Sequence, residues 1–370
     1  MIYTIFENSN MERYYPFTIN HSLVEVRFGA FSILERIEKQ LSDGDQIILV
    51  VRDELKDILL ERYPHIAINP SVIPSSQVYH VSSINLNQSN LILTLDNDIS
   101  IDELREKIVD FSSDSYLWDY LKLNTLDKDT EHFNMAVNGD FHESAIFVNK
   151  DNIHISESSV ISAGVILDAS NGPIIIDDAF VDIGALIKGP TYIGKGSKVN
   201  PGAKLRGNIS IGPCCKIGGE VEDATFHGYS NKQHDGYLGH AYIGEWVNLG
   251  ANTNNSDLKN NYSNVKFKIG EELISTDEIF LGAMIGDYTK TAISTMLNTG
   301  TYIGVGCNLF GAGFQRKFIP SFCWGENSRM DLDKFLDTLD IVKGRRGKNI
   351  SKIEKDLITK IYNSQDNSTF

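Results

Sequence analysis

Three histidines close together in the middle of the chain are the first residues whose chemistry could define a site. His227 and His234 lie in the polar segment FHGYSNKQHDG, residues 226–236, and His240 follows shortly after it. An imidazole titrates near neutral pH, so it can act as a general base in catalysis. We expect His234, which stands among polar and glycine residues on what should be a loop, to act as such a general base.

A six-residue repeat indicates the elements that must position these histidines. An aliphatic residue stands at every sixth position of the preceding segment: Ile175, Val181, Ile187, Ile193, Val199, Leu205, Ile211 and Ile217. Neither the helical period of 3.6 nor the strand period of 2 gives this spacing, but a short strand followed by a tight turn does. The repeat therefore predicts a left-handed parallel β-helix, in which these side chains point inward.

The repeat continues on both sides of this stretch. Earlier and later members are Ile155, Ile161, Leu167, Ile243, Leu249, Ile279, Ile285, Leu297, Ile303 and Leu309, with Thr291 as an interruption. Between Ile217 and Ile243 the register slips by two residues. We expect the coil to be unable to absorb this slip, so that residues 226–236 leave it as a protruding loop. A second polar excursion is predicted at residues 251–266.

Three domains are expected. Residues 1–138 alternate apolar runs such as QIILVV with helical stretches such as FSILERIEKQL, which predicts an α/β domain with a parallel sheet. Residues 139–326 form the β-helix, and residues 327–370 are a helical extension with two amphipathic helices hinged at residues 344–347. The basic run Lys343, Arg345, Arg346 and Lys348 is interpreted as a solvated helix end, with a phosphate contact as the alternative.

Composition restricts the class of partner. The 370 residues carry a net charge of −15, which argues against nucleic acid, because binding a phosphate backbone needs a basic surface. The four cysteines include no CxxC spacing and are expected to be reduced, buried residues. The sequence has no apolar run long enough to span a membrane and no export signal at its start. We therefore predict a cytoplasmic protein with no membrane partner.

The first residues resemble the opening of sugar-phosphate nucleotidyltransferases. The segments SNMERYYPFT and VEVRFGAFSILERI keep Arg13, Thr18 and Gly29 of that family's signature. The resemblance implies that these three residues bind a nucleotide, and that Mg²⁺ is a cofactor only if this domain is active. The loop glycines are missing, and Ser9 to Glu12 stand in their place. A structural relic and residual transfer from a nucleoside triphosphate therefore stay equally open.

From Gly139 to Gly325 the chain resembles the C-terminal half of the bifunctional bacterial N-acetylglucosamine-1-phosphate uridyltransferase/glucosamine-1-phosphate acetyltransferase family, in a divergent branch. The motifs include GPTYIGKGSKVNPGAKL and GYSNKQHDGYLGHAYIGEWVNLGANTNNSDLKNNY. The resemblance implies an N-acetyltransferase that moves an acetyl group from acetyl-CoA to an amino-sugar 1-phosphate in cell-envelope biosynthesis. It also implies a homotrimer and assigns the general base to His234.

The same resemblance implies the remaining site residues. Contacts to the sugar phosphate are expected from Tyr237, Asn248, Lys259, Asn261, Tyr262 and Lys266, and contacts to acetyl-CoA near Ala251, Ala283 and Thr299. The family's arginine before Pro-Gly-Ala is Asn200 here, so Arg206 and Lys232 are expected to supply positive charge instead. Glu220 near the acceptor suits a protonated amine, so the sugar could differ from glucosamine 1-phosphate.

Two other functions are weighed against this one. A scaffold that binds a sugar nucleotide without catalysis is supported by the missing N-terminal glycines and opposed by the His234 segment. A zinc lyase of the carbonic-anhydrase type would use three histidines across a subunit interface, and His227, His234 and His240 are the candidates. We expect no more than two of the three to share a face of the coil, which disfavours the zinc site.

Overall fold

The computed structural model describes residues 1–7, 10–83, 85–108, 114–122 and 125–365. An α/β domain comes first, a left-handed parallel β-helix follows, and two helices close the chain. This order confirms the fold class predicted from the six-residue repeat. The boundaries placed at residues 138 and 326 stay predictions. None of the described helices is both long and apolar enough to cross a bilayer.

The N-terminal domain is built on a five-stranded sheet. In spatial order its strands are Ala67–Ile68, Gln46–Val50, Ile2–Phe6, Ser76–His80 and Leu93–Leu95. The first four run parallel and the last is antiparallel. The α-helices are Ile33–Glu38, Lys56–Arg62, Ile101–Lys107 and Leu126–Asp129. Short 3-10 turns include Met11–Tyr14, Phe17–Ile19, Leu23–Glu25 and Leu117–Leu121.

The β-helix stacks its strands in three parallel columns, which we name A, B and C. Column A holds Asp140–Phe141, Val160–Ile161, Phe180–Val181, Lys198–Val199, Lys216–Ile217, Asn231–Lys232, Asn248, Lys290–Thr291, Asn308–Leu309 and Cys323–Trp324. Column B begins with Ile146–Val148, Ile166–Asp168, Leu186–Lys188 and Lys204–Leu205 and ends with Asn254–Asn255 and Met296–Leu297. Column C holds Ile153–Ile155, Ile174–Ile176, Thr191–Ile193, Ile209–Ile211, Ala283–Ile285, Thr301–Ile303 and Phe318–Ile319. Two longer strands, Glu220–Gly228 and Tyr237–Glu245, pass through columns B and C in one run.

One continuous apolar core fills the coil. Leu205, Ile217 and Leu297 are at most 1% exposed, as the six-residue repeat predicts. Thr291, which interrupts the repeat, still occupies an inward position and is 6% exposed. Ile279 was expected to join the core and does not. It is 45% exposed, because the chain has not yet returned to the coil at that point.

The expected protruding loop at residues 226–236 is absent, and that prediction is wrong. This segment stays in the coil as the end of Glu220–Gly228, the strand Asn231–Lys232 and the turn that follows. The slip in the repeat is absorbed by shorter turns, since only Gly218 and Gly219 separate the column A strand Lys216–Ile217 from Glu220. A Cβ on Gly218 would collide with the carbonyl oxygen of Gln233 on the next coil, so the short turn requires glycine there.

The second polar excursion exists, but it is displaced along the chain. Asn254–Asn255 is still a column B strand, and the chain re-enters the coil at Ala283–Ile285. Between them lies an antiparallel hairpin of Lys266–Ile269 and Glu272–Ser275. The Phe267 ring packs edge-on against Trp118 of the N-terminal domain, at 5.2 Å between ring centroids. The excursion therefore begins as a polar segment and ends as part of the core between the domains.

The C-terminal helices Leu332–Gly344 and Lys352–Ser364 confirm the predicted pair. They pack on the turns that lead from column C to column A, where Trp246, Tyr288 and Phe322 form an apolar cluster. Lys343 was expected to be solvated and is instead buried, in an ion pair with Glu354.

The four cysteines form no disulfide. Cys215, Cys307 and Cys323 lie in the coil interior, whereas Cys214 is only half-buried at a turn. The prediction of buried cysteines is therefore right for three of the four.

A buried charge cluster joins the N-terminal domain to the coil. Its coil members His227, Glu245 and Asp287 come from successive turns between columns C and A, and its N-terminal members are His21, Glu25 and Arg62. His21 donates from Nε2 to Asp287 at 2.8 Å and from Nδ1 to Glu25 at 3.1 Å. His227 donates from Nε2 to the backbone carbonyl of Glu25 at 2.6 Å and from Nδ1 to Glu245 at 3.1 Å.

Both imidazoles of the charge cluster face acceptors on both ring nitrogens. Both acceptors of His21 are carboxylates, which a doubly protonated ring satisfies, so His21 and Arg62 supply positive charge among the three carboxylates. Burial disfavours the charge on His21, but Asp287 and Glu25 outweigh it and raise its pKa to about 10. Burial likewise opposes ionisation of Glu25, while Arg62 and His21 lower its pKa to about 2. The two domains are therefore held together by charges that have little access to water.

Replacing Gly218 by alanine tests the short turn. We expect Gly218→Ala to cost about 3 kcal/mol or more, because backbone atoms must move to admit the new methyl group. Gly202→Ala is the matched control: its φ of +65° disfavours alanine, but no atom lies within 4 Å of the added carbon. The control should cost only about 1 kcal/mol. Urea unfolding midpoints measure both, and equal losses would contradict the requirement at Gly218.

The pH dependence of stability tests the charge cluster. The folded-state pKa of His21 is raised from 6.5 to about 10, so its contribution is complete below pH 6.5 and is lost as the pH rises towards 10. His21→Gln should lower the free energy of unfolding by about 3–5 kcal/mol near neutrality, because it removes the cation that pairs with the buried Asp287 carboxylate. The variant should also lose much of the wild-type decline at alkaline pH. His65→Gln, which alters an exposed pair with Glu38, should change neither quantity. If the free energy of unfolding declined equally with rising alkaline pH in His21→Gln and wild type, the charge cluster would not be the source of that decline.

Candidate functional site

The turns between columns A and B form one edge of the coil, which we call the A–B corner. Four of its turns place Ile183, His234, Ala251 and Ile293 at the same position on different coils. Backbone hydrogen bonds keep neighbouring turns in register, from Asn252 N to Asp235 O at 3.0 Å and from Ser294 N to Ala251 O at 2.7 Å. His234 and the predicted cofactor contact Ala251 therefore lie on adjacent turns.

The His234 side chain is exposed at this corner. Within the described residues its ring nitrogens make no hydrogen bond and no ion pair. The turn that carries it is nevertheless held from inside the coil. The Lys232 ammonium donates to the carbonyl of His234 at 2.8 Å and to that of Gly218 at 3.2 Å.

Lys232 occupies an inward position of column A, in register with Ile217 on the coil before it. Its side chain is 2% exposed, and burial lowers the pKa of its amine to about 8. The expectation that Lys232 contacts the substrate is therefore corrected, because its ammonium is enclosed by backbone carbonyls. Lys232 instead positions the turn of His234.

The other two histidines of the segment are engaged within the chain. His227 is 8% exposed and donates from both nitrogens in the charge cluster. His240 has Nδ1 at 2.8 Å from Asp257 and Nε2 at 3.5 Å from Asp223. Burial opposes the charge on His240, but Asp257 and Asp223 outweigh it and raise its pKa. Neither ring is therefore disposed to accept a proton, and the three histidines do not converge on one point as a zinc site requires.

A polar cluster surrounds His240 at the corner between columns B and C. Tyr237 donates its hydroxyl to Asp257 at 2.7 Å, and Arg206 pairs with Glu220 at 2.9 Å and with Glu222 at 3.1 Å. The predicted residues Arg206 and Tyr237 lie on the two coils that flank the coil of Glu220 and Glu222. Asp257 was missed by sequence reasoning. Asp257 follows His240 by one coil length in the sequence, but this relation cannot be recognised until the lengths of the coils are known.

The other predicted substrate contacts are dispersed. Asn248 is exposed on column A, where its side-chain oxygen accepts from Asn231 at 3.3 Å. Lys259 donates to Ser263 at 3.3 Å, and Asn261 accepts from the same residue, so both lie in a turn of the excursion. Tyr262 is 71% exposed, and Lys266 begins the hairpin. No hydrogen bond or ion pair among the described residues joins this turn to that of His234.

The predicted cofactor contacts differ in exposure. Ala251 is half-buried at the A–B corner, whereas Ala283 is fully buried inside column C. Thr299 is 2% exposed and lies at the corner between columns B and C. Only Ala251 shares a corner with His234.

The predicted nucleotide contacts lie in the N-terminal domain, and one of them contacts the coil. Arg13 stacks its guanidinium 4.9 Å from the Tyr116 ring, and Thr18 is fully buried with its hydroxyl donated to the Met11 carbonyl at 2.6 Å. Gly29 has a φ of +57°, and its carbonyl accepts from Ser210 of the coil at 2.6 Å. Met11–Tyr14 forms a 3-10 turn where a glycine-rich loop would be open, and Ser9 lies outside the described residues. Nucleotide binding by these residues stays a prediction.

One group of side chains in the charge cluster is spaced closely enough to surround a cation. Ligand atoms of His21, Glu245 and Asp287 all lie within 4.8 Å of one another. The His21 ring already donates to carboxylates from both nitrogens, and Arg62 lies 2.9 Å from Glu25. The protein's own cations therefore balance these carboxylates.

A cavity of about 530 Å³ lies away from the A–B corner, between the N-terminal domain and the last helix. Charged side chains of both signs line it, since Arg52 and Lys360 face it together with Glu54 and Glu271. This mixture does not favour one charge type of ligand.

Comparisons with known proteins identify one matching family and several similar relatives. Residues 3–135 match the family described as sugar nucleotidyl transferase. The bifunctional protein GlmU of Synechococcus elongatus is 32% identical over 130 residues, which are 35% of this chain and 25% of that protein. GlmU of Thermodesulfovibrio yellowstonii is 31% identical over 157 residues, 42% of this chain and 31% of that protein. The alignments thus span only a quarter to a third of these relatives.

Among solved structures, UDP-N-acetylglucosamine acyltransferase from Campylobacter jejuni is 14% identical, with 62% of this chain and 93% of that chain covered and a TM-score of 0.25. Because this TM-score is too low to support an argument, the fold assignment rests on the strand pairing of the coil. The chain is therefore similar to sugar nucleotidyl transferases over residues 3–135 and to the bifunctional GlmU proteins over about a third of its length.

Proposed function

We propose that this protein transfers the acetyl group of acetyl-CoA to the amine of an amino-sugar 1-phosphate, with His234 as the general base. The amine nitrogen attacks the thioester carbonyl and gives a proton to the imidazole. The carbon–sulfur bond then breaks, and the imidazolium returns its proton to the leaving sulfur, so that coenzyme A leaves as the thiol. The products are an N-acetylated sugar phosphate and free coenzyme A.

The observation that carries the proposal is the contrast among three neighbouring histidines. His227 and His240 have both ring nitrogens directed at acceptors, whereas His234 is exposed and its ring engages no described residue. A general base must have a free nitrogen and a defined position. His234 has the first by its exposure and the second because the Lys232 ammonium fixes its turn from inside.

The same corner supports the choice of cofactor. Ala251 follows His234 on the next turn, so a cofactor running along the corner would pass the small side chain of Ala251 beside the imidazole. Small side chains allow a cofactor to approach the backbone closely. Tyr237 begins the strand after the His234 turn, and Asn248 lies on column A, so the corner separates these two predicted sugar contacts.

A scaffold without catalysis is the main competing function. It is favoured by the buried Thr18 and by the 3-10 turn in place of a glycine-rich loop, both of which concern the N-terminal domain. We propose that this domain acts in nucleotide binding or support, and that chemistry takes place on the coil. Mg²⁺ and a nucleoside triphosphate enter only if the N-terminal domain is active.

His234→Asn tests the general base. The variant should lower the rate of acetyl transfer by about 10²–10⁴-fold, because proton transfer in the transition state is lost. Release of free thiol from acetyl-CoA, measured with a panel of amino-sugar 1-phosphates, reports the rate. His142→Asn is the matched control, since His142 is also exposed on the coil and, among the described residues, its ring bonds only to Ser144. An unchanged rate in His234→Asn would sink the assignment, and no thiol release by the wild type with any sugar would favour the scaffold.

The homotrimer is part of the same proposal. Ile183 and Ile293 are 55% and 75% exposed at the turn position that His234 occupies on another coil. Exposed aliphatic residues in line with a catalytic side chain suit a second coil packed along the corner, which would also exclude water from the reaction.

Ile293→Lys tests this interface. A lysine there would have to be buried without a partner, so the variant should dissociate into monomers in light scattering. Leu273→Lys, at a 63% exposed position on the hairpin, should leave the mass of the assembly unchanged. A wild-type protein that is already monomeric, or a variant of trimeric mass, would contradict the proposal.

A further inference from the structure

Column A presents a ladder of hydrogen-bond donors on its outer side. The outward residues of four successive coils are Lys216, Asn231, Asn248 and Lys290. Coils stack at roughly the spacing of paired strands, about 4.8 Å, so the two lysines lie about 14 Å apart with two amides between them. Such a ladder can contact several groups of one elongated ligand.

The segment between the C-terminal helices covers this ladder. Arg345 and Arg346 line the same cavity of about 280 Å³ as Lys216 and Lys290. Arg346 donates to the side-chain oxygen of Asn231 at 2.9 Å, and Asn231 donates in turn to the oxygen of Asn248. The Asn248 amide nitrogen is thereby left available as a donor. We call this space the cationic cavity.

The four cations of the cationic cavity have no acidic partner. None of them forms a salt bridge with a described residue, and no carboxylate lines the cavity. Other lysines of the coil behave differently, since Lys198 pairs with Asp182 at 2.8 Å and Lys195 with Asp178 at 3.4 Å. In a chain whose net charge is −15, an unbalanced positive group of this size calls for an anion from outside.

The pKa values of Lys216 and Lys290 are both lowered in this cavity. Burial lowers the pKa of Lys216, and the charges of Arg346, Arg345 and Lys198 lower it further. Burial also lowers the pKa of Lys290. The surrounding groups thus disfavour both ammonium charges, and a bound anion would reverse that effect.

We propose that the cationic cavity binds the phosphate groups of a phosphorylated ligand. Two guanidinium groups can form paired hydrogen bonds to phosphate oxygens, and two ammonium groups can neutralise their charge. Four cations spread over several coils suit an anion with more than one charge, such as a diphosphate. The amides of Asn231 and Asn248 line the middle of the ladder, where Asn248 offers a further donor.

The position of the cavity connects it with the proposed reaction, and this part of the inference rests on the proposed function. Gln233 lines the cavity, and His234 follows it in the same turn. A ligand held by its phosphates on column A would therefore extend towards the A–B corner. The phosphates could belong to coenzyme A or to the sugar phosphate, because both supply the same chemistry.

Calorimetric titration with inorganic pyrophosphate tests the cavity by itself. The wild type should bind it saturably, and Lys216→Met combined with Lys290→Met should weaken binding by at least about tenfold, since two charged contacts are lost. Lys204→Met is the matched control, because Lys204 lies on column B of the coil and forms no salt bridge with a described residue. Sodium sulfate at matched ionic strength corrects for general salt stabilisation.

The double variant should remain folded and melt at or above the wild-type temperature without ligand, because repulsion and burial of charge are relieved. Equal pyrophosphate affinity in the folded double variant and wild type would overturn the inference, as would an equal loss in Lys204→Met. Competition then identifies the source of the phosphates: coenzyme A or glucosamine 1-phosphate should displace pyrophosphate, and either result supports the cavity. Because His234→Asn should still bind pyrophosphate, failure of the cavity and failure of the general base are separable.

Discussion

The register of the stacked coils is the constraint on which the remaining structure depends. Each coil pairs its three short strands with those of the coil before it, so the length of every turn decides which side chains point inward. The shortened turn at Gly218 and Gly219 shows how strict this dependence is. It brings Lys232 into the interior, in register with Ile217, and leaves His234 at the corner that follows. The inward position of Lys232 and the exposed position of His234 thus both follow from shortened turns in the coil before them.

The three corners of the coil differ in which residues they carry and in what packs against them. The turns between columns C and A hold the N-terminal domain through the charge cluster and receive the C-terminal helices on Trp246 and Tyr288. The A–B corner carries His234 and stays exposed. The corner between columns B and C holds the pair of His240 and Asp257 and releases the excursion. The packed corner buries charged groups, whereas the exposed A–B corner leaves the His234 ring without a hydrogen-bond partner among the described residues.

Charge is used in two opposite ways on this coil. In the charge cluster, the rings of His21 and His227 and the guanidinium of Arg62 contact three carboxylates inside the protein. In the cationic cavity, Lys216, Lys290 and two arginines meet no carboxylate of the residues that the structure describes. Burial increases the energetic effect of both arrangements, because attraction and repulsion between charges are stronger in a low-dielectric interior than in water. The first arrangement stabilises the junction of two domains, and the second favours association with an anion.

The sequence by itself determined the coil, the α/β class of the N-terminal domain and the two C-terminal helices, and it suggested His234 as the proposed base. These are local patterns: aliphatic residues six apart, an amphipathic period, and a polar segment around an imidazole. Only the tertiary structure decided that Lys232 points inward, that Asp257 reaches His240 and that His21 meets Asp287. Those contacts join residues on different coils or in different domains. Their partners are set by the sum of all intervening turn lengths, and no short stretch of sequence contains that sum.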